Sequence, residues 1–190
     1  MQVKIKNSKR IFDNFFQIDE VDLQFEKFGG GFSDQVRRFN IVRPEAVAVL
    51  IYLKDTKKFV LISQFRYAPC SAGQNGWVEE IVAGLVDGED PVECARRECI
   101  EESGYEIDDF EHIASVFSSP GITSEFVHLY IGFCDSSDKK YKGGGLDSEH
   151  EDIKIIELSI DEAKQRLLDK KFNDGKTILA LQHFFLTYDK

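Results

Sequence analysis

The chain has no apolar run long enough to cross a bilayer. The longest, residues 46–53, has eight residues, against the ~20 that a spanning helix needs. Residues 1–10 are basic and polar and carry no apolar stretch of the kind an export signal requires. A cytoplasmic protein without membrane contact is therefore expected. Cysteine is scarce: four in 190 residues, Cys70, Cys94, Cys99 and Cys134, none in CxxC spacing. That pattern suits neither a disulfide framework nor a zinc site and leaves reduced, mostly buried thiols. Basic charge is in deficit. With 24 Lys and Arg against 34 Asp and Glu, the net charge is -10. Such a surface repels a polyanion and excludes non-specific nucleic-acid binding. It does not exclude a small phosphate substrate, because a bound divalent cation inverts the local field. The sequence offers no Ser-His-Asp or Cys-His arrangement to point to, so no covalent nucleophile is visible. Internal repeats and low-complexity linkers are absent.

What is present is a core and a punctuated order of elements. Hydrophobic residues make up 42% and aromatics 12%, enough at this length for one domain with a small appendage. Residues 15–28 and 35–42, joined by the turn glycines Gly29, Gly30 and Gly31, read as a β-hairpin. It forms an expected N-terminal appendage over residues 1–43, with the main domain over 44–190. Residues 46–53 and 59–65 read as a strand pair around a turn, and 77–82 as another short strand. One helix is strongly marked: Asp90 caps it, Pro91 takes the first helical position, Glu93 completes a capping box and Gly104 ends it. Strands at 110–117, 126–133 and 152–158 follow, the last two separated by the polar loop 135–150. Ser159 and Glu162 open a further helix, and a last one starts near Asp174. Strands with a few helices, out of strict alternation, indicate an α+β fold in which a mixed sheet is sandwiched between helices.

The marked helix carries crowded acids. Glu98 and Glu102 lie four residues apart and stack on one face, and Glu101 borders it. Like charges at this spacing destabilise a helix. A solvated acidic face is one explanation. The other is that bound cations relieve the repulsion, for which hard carboxylate oxygens suit Mg²⁺. Helix geometry alone leaves both open.

The neighbouring residues point one way. Arg97, Glu98, Glu101, Glu102 and Gly104, with Cys99 and Tyr105 in the two apolar places, resemble the end of the Nudix box. Seven residues separate Glu89 from Arg97, as in that pattern. Gly84 and Glu89 are separated by four residues, one fewer than the pattern has. This leaves Glu89 or Asp90 for the early acid; Asp90 is favoured as cap and Glu89 as the partner of Arg97. The resemblance extends over most of residues 42–186. Ser63-Gln64-Phe65-Arg66, Glu80 to Gly84 and Ser119-Pro120-Gly121 with Glu125 resemble segments of the ADP-ribose and nucleoside-diphosphate-sugar pyrophosphatase branch. So do Gly143-Gly144-Gly145 and the acidic run from Glu149 to Ile153. The tail Asp174-Gly175-Lys176-Thr177 is most similar to that of the GDP-mannose pyrophosphatases, while the triple glycine is shared with UDP-glucose enzymes.

The resemblance implies a Nudix fold and Mg²⁺-dependent hydrolysis, with Mn²⁺ as substitute, of a nucleotide-sugar pyrophosphate bond. The substrate would be of GDP-mannose, ADP-ribose or UDP-glucose type. It implies metal ligation by Glu98, Glu101, Glu102, Glu151 and the carbonyl of Ala83. Glu149 would act as base or water-orienting group, with Glu101 and Arg97 in the catalytic set. Arg66, Glu80, Gly84 and Glu125 would line the substrate, Arg66 as a guanidinium fork on phosphate. The three glycines would hinge the acidic loop, and the appendage would pair two copies into a homodimer. A catalytically silent Nudix sensor is the rival reading, yet such a domain is expected to lose box glutamates and all three stand here. A house-cleaning triphosphate pyrophosphatase is the other, disfavoured by the hairpin and the triple glycine.

Overall fold

The computed structural model describes residues 1–188. The chain divides into two compact units, Met1–Pro44 with Phe117–Phe126, and Glu45–Val116 with Val127–Lys190.

The first unit is built on three antiparallel strands, β1 (Val3–Asp13), β2 (Gln17–Phe25) and β3 (Val36–Val42), in the order β1-β2-β3. The expected hairpin is the β2–β3 pair, and β1 extends it. The first strand was illegible because two register shifts, between Ile5 and Asn7 and between Arg10 and Phe12, break its alternation. The three turn glycines sit between β2 and β3, where Gly30 and Gly31 take positive φ of 84° and 71°, a region that disfavours other residues. The 117–126 segment joins β3: Ile41 bridges Thr123, and the Ile41 N–H donates to the Ile122 carbonyl at 2.8 Å.

The second unit is a seven-stranded mixed sheet. Its main path runs β10 (Lys154–Ser159), β5 (Lys58–Phe65), β4 (Ala46–Leu53), β9 (Phe126–Cys134), β8 (Asp109–Phe117), with β6 (Trp77–Glu80) beside β5 and β7 (Val82–Leu85) beside β4. The centre is β4, parallel to β9 along its whole length and antiparallel to β7 and β5 at its two ends. Its alternation splits the core. Ala46, Ala48 and Leu50 face one cluster, completed by Ala180, Leu181 and Phe184 of α4 (Gly175–Thr187) and Ala163 of α3 (Ile160–Leu168). Val47, Val49, Ile51 and Leu53 face the other, against Cys94, Ala95 and Cys99. Helices thus cover both faces of a mixed sheet, as expected. The short helix α1 (Tyr67–Ser71) was not foreseen.

The segment read as one strand over 77–82 is two. It changes partner at Ile81, leaving β5 for β4, and there its N–H donates to Thr177 Oγ1 at 2.9 Å instead of to a strand. Thr177 Oγ1 in turn donates to Asp174 Oδ2 at 2.7 Å, and Asp174 caps α4 through the Thr177 N–H. The structure also joins an acid, an imidazole and a hydroxyl that no sequence spacing revealed. Glu45 Oε2 lies 2.8 Å from His128 Nε2, and Ser115 Oγ lies 3.0 Å from His128 Nδ1 and 2.8 Å from His112 Nε2. A carboxylate only accepts, so His128 Nε2–H donates to Glu45, and the Ser115 hydroxyl hydrogen-bonds both His128 Nδ1 and His112 Nε2. Donor and acceptor sides of Ser115 are both engaged, and the chain acts as a polar clasp among β8, β9 and the start of β4.

The partner switch at Ile81 predicts a specific weakness. Thr177→Val leaves the buried Ile81 N–H without an acceptor and is expected to cost about 1–3 kcal/mol. In urea unfolding the midpoint should fall with the slope unchanged.

Candidate active site

Helix α2 (Pro91–Glu98) begins as expected. Asp90 Oδ1 accepts the N–H groups of Val92 and Glu93 at 2.9 and 3.4 Å. Asp90 is therefore the cap, and Glu89 is free to turn toward Arg97. The helix continues as a wider π turn over Cys99–Ser103 and ends at Gly104, whose φ is 80°. Such wide turns recur at functional sites.

Arg97 is the hub of the acids. Its guanidinium reaches Glu89 at 2.7 Å, Glu98 at 2.8 Å and Glu101 at 2.9 Å. Glu98 then leans against β7 at Gly84, where a Cβ would come within 1.9 Å of the Glu98 carboxyl oxygen. Gly84 thus makes room for an acid. One turn on, buried Glu102 accepts the Ala83 N–H at 3.0 Å. Consecutive residues of β7 therefore seat both glutamates.

The triple glycine packs closely against the helix end. All three glycines have positive φ, and the loop is zipped onto the helix end: Gly144 N–H donates to the Glu102 carbonyl at 2.8 Å and Gly145 N–H to the Glu101 carbonyl at 3.0 Å. A Cβ on Gly145 would meet the Glu151 Cβ at 2.6 Å. These glycines permit close approach, and they deliver Glu151 to a set place. Its carboxylate accepts from the Leu146 N–H at 3.0 Å and from Gln64 Nε2 at 3.2 Å. The other polar side-chain atom of Gln64, Oε1, is buried and has no hydrogen-bond partner among the described residues.

A second charged chain borders the first. Glu80, 3% exposed, accepts from Arg66 Nε at 2.7 Å and from Lys176 Nζ at 3.3 Å, and Lys176 also reaches Asp174 at 2.7 Å. Burial works against the Arg66 charge, but Glu80, Glu102 and Glu151 together hold it cationic. Lys176 is likewise kept charged against burial by Asp174 and Glu80.

Burial dominates the electrostatics of these carboxyls. Burial pushes the Glu102 carboxyl up to about 9, and Glu98 and Glu151 push the same way while the Ala83 N–H opposes them. Burial raises Glu98 to about 7 despite Arg97. Among the described residues no three acid, histidine or cysteine side chains stand as a ready ion cage. The acids are instead held by Arg97, by backbone N–H groups and by Gln64. An all-oxygen donor set, two carboxyls whose charge is suppressed by burial, and an orphaned amide oxygen beside Glu151 fit a hard divalent cation such as Mg²⁺.

The anticipated residues divide as follows. Glu98, Glu101, Glu102, Arg97, Ala83 and Gly84 meet around the end of α2. Glu80, Arg66 and Glu151 act on the same carboxyls through their charges. Glu125 belongs to the N-terminal unit, where it faces Arg43 at 3.7 Å. Glu149 occupies a short 3-10 turn, Asp147–Glu149, and its side chain lies outside what is described. In the sequence Gln64 and Lys176 stand only as parts of motifs. No spacing shows that one would hold Glu151 and the other would share Glu80 with Arg66.

Residues 42–181 match the model of the NUDIX domain, and the chain belongs to that family. It is similar to the GDP-mannose pyrophosphatase of Cronobacter sakazakii (strain ATCC BAA-894), with 33% identity over 189 residues, 98% of this chain and 96% of that protein. The GDP-mannose pyrophosphatase of Escherichia coli O1:K1 / APEC is 31% identical over 190 residues, 98% and 97% of the two chains. A solved structure described as an ADP compounds hydrolase shares the fold, with a TM-score of 0.73 at 22% identity, covering 96% of this chain and 92% of that one.

The raised carboxyls set a pH dependence. Their protonated forms favour the folded state, so this contribution is present below the ordinary 4.5 and is lost as pH rises through about 7 for Glu98 and about 9 for Glu102. A cation binds the ionised forms and offsets that loss. The rise in melting temperature on adding Mg²⁺ should therefore be larger near the upper end of this window than near its lower end. Equal shifts at both ends would contradict the burial of these charges.

Proposed function

We propose that this chain is a Mg²⁺-dependent pyrophosphatase of nucleoside diphosphate sugars, with a GDP-mannose-type substrate preferred over ADP-ribose and UDP-glucose types. The observation that carries the reading is the seating of Glu98 and Glu102 at adjacent residues of β7, Gly84 and Ala83, with Arg97 bound to Glu98 and Glu101. The GDP-mannose pyrophosphatases to which the chain is similar over nearly its whole length support the substrate class. Mg²⁺, when bound, neutralises diphosphate charge and lowers the pKa of a coordinated water. Glu98, Glu102, Glu151, the Ala83 carbonyl and Glu101 would hold it.

The protein's own residues do the rest. Arg66 and Lys176, both anchored on Glu80, offer two cations to the phosphates without needing to be ordered at the moment of binding. Arg97 fixes the rotamers of Glu98 and Glu101 and does not touch the substrate. Glu149 takes a proton from the attacking water. Water adds to one phosphorus, the bridging oxygen leaves with the other, and the products are a nucleoside monophosphate and a sugar phosphate. Among the described residues no helix is long and apolar enough to cross a membrane, and we place the enzyme in the cytoplasm. We also assign the N-terminal unit, residues 1–43 with the 117–126 segment it binds, to pairing two copies. Exposed Phe12, Phe15, Phe28 and Phe39 in that unit support this. Light scattering should return a dimer mass at assay concentration; a fully active monomer would overturn that assignment.

The chemistry is tested in a Mg²⁺-containing screen of nucleotide sugars and nucleoside triphosphates with products resolved by chromatography. Glu102→Gln should lower turnover about a hundredfold or more, since even an outer partner of a metal ligand is worth about 10–100-fold. Folding should be intact, because the amide is neutral like the protonated acid it replaces. Near-native turnover in that variant would refute the assignment. Glu151→Gln should raise the Mg²⁺ concentration needed for half-maximal rate. Glu149→Gln should instead lower kcat at saturating metal. If neither variant changes rate or metal dependence, the base lies elsewhere.

A further inference from the structure

On the sheet face covered by α3 and α4, a cavity of about 350 Å³ is lined by Tyr52, Lys57, Phe133, Ile160, Phe184 and Tyr188. That is the size of a small-molecule site, and so is its make-up, largely aromatic with one charge. Four rings form the wall. Tyr52 and Phe184 have centroids 4.8 Å apart, Phe184 and Tyr188 5.1 Å, and Phe133 and Tyr188 5.8 Å. The Tyr188 hydroxyl donates to Glu111, which fixes that ring as a wall and directs its polar end away to a partner. The rings come from three elements, β4, β9 and the end of α4, so the wall is set by the core itself. None of the residues given a part in the active site lines it.

The single cation is Lys57, in the turn between β4 and β5. Its ammonium has no ion pair or hydrogen bond among the described residues. Its backbone is also unusual: φ is 54°, in the left-handed region. Glycine or asparagine suits that region, and a long side chain is disfavoured there. A lysine therefore stands where the turn itself would be served better by glycine, and it lines an aromatic cavity on a chain of net charge -10.

We propose that this cavity binds a small planar aromatic anion, with the ring against Tyr52, Phe133 and Phe184 and the anionic group on Lys57. Ring faces and edges give the apolar contact, and the ammonium gives the charge-assisted bond. The site stands apart from the proposed reaction, and its test needs no turnover.

Anilinonaphthalene sulfonate is a suitable probe, because it combines a planar ring system with one anionic group. Titrated into the full-length folded protein, it should show saturable fluorescence enhancement with one site per chain. Lys57→Gly relieves the left-handed strain, so the melting temperature should hold or rise, while affinity for the probe should fall about tenfold, the scale of a bond to a charged group. The uncharged analogue phenyl-naphthylamine should bind wild type and Lys57→Gly alike. Absence of saturable binding would overturn the proposal. So would equal affinity of the anionic probe for wild type and Lys57→Gly, which would assign its fluorescence to apolar surface elsewhere, such as the exposed phenylalanines of the N-terminal unit.

Discussion

The withdrawal of carboxyls from water is the constraint on which the second unit depends. Burial raises both Glu98 and Glu102, and at Glu102 the charges of Glu98, Glu151 and Glu80 add to the cost. A fold would ordinarily avoid that arrangement, since burying an unpaired charge is among the largest single penalties available. Here the surroundings are arranged to bear it. Arg97 spans three acids, Ala83 N–H binds a fourth, and Arg66 and Lys176 flank Glu80. The residual cost appears as suppressed ionisation of Glu98 and Glu102, which a divalent cation would remove.

Backbone placement makes this possible. Strand β4 pairs with β7, β7 seats the two glutamates, and α2 packs against the same sheet through Cys94, Ala95 and Cys99. The missing side chain of Gly84 sets the distance between strand and helix at the point where Glu98 enters. The triple-glycine loop closes the other side, with its amides on the Glu101 and Glu102 carbonyls at the end of the π turn. Those carbonyls would otherwise be left unpaired at the helix end. The same contacts carry Glu151 to Gln64, so helix termination and assembly of the acid cluster are one event.

Much of this was legible in the sequence where local chemistry is strong. Asp90, Pro91 and Gly104 mark the helix at both ends, and the four-residue step from Glu98 to Glu102 places two acids on one face. Asp174 and Ser159 announce the last two helices in the same way. What escaped was decided by tertiary partners. β1 was lost because two bulges scramble its period. The break at Ile81 was lost because a threonine 96 positions away supplies the acceptor that ends one pairing. The close approach of Gly144 and Gly145 to the helix end was not legible, because composition does not show which carbonyls their amides meet. Lys176 and Gln64 became site residues only once α4 and β5 were laid beside Glu80 and Glu151.

Whether this acid cluster serves cleavage between the two phosphates of a nucleotide sugar is decided by turnover of GDP-mannose with Mg²⁺ in water enriched in heavy oxygen, with both products weighed by mass spectrometry. Guanosine monophosphate and mannose phosphate are expected in equal amounts, one of them carrying a single heavy oxygen on its phosphate. Guanosine diphosphate with free labelled sugar, or no turnover at all from folded, Mg²⁺-saturated protein, would contradict it.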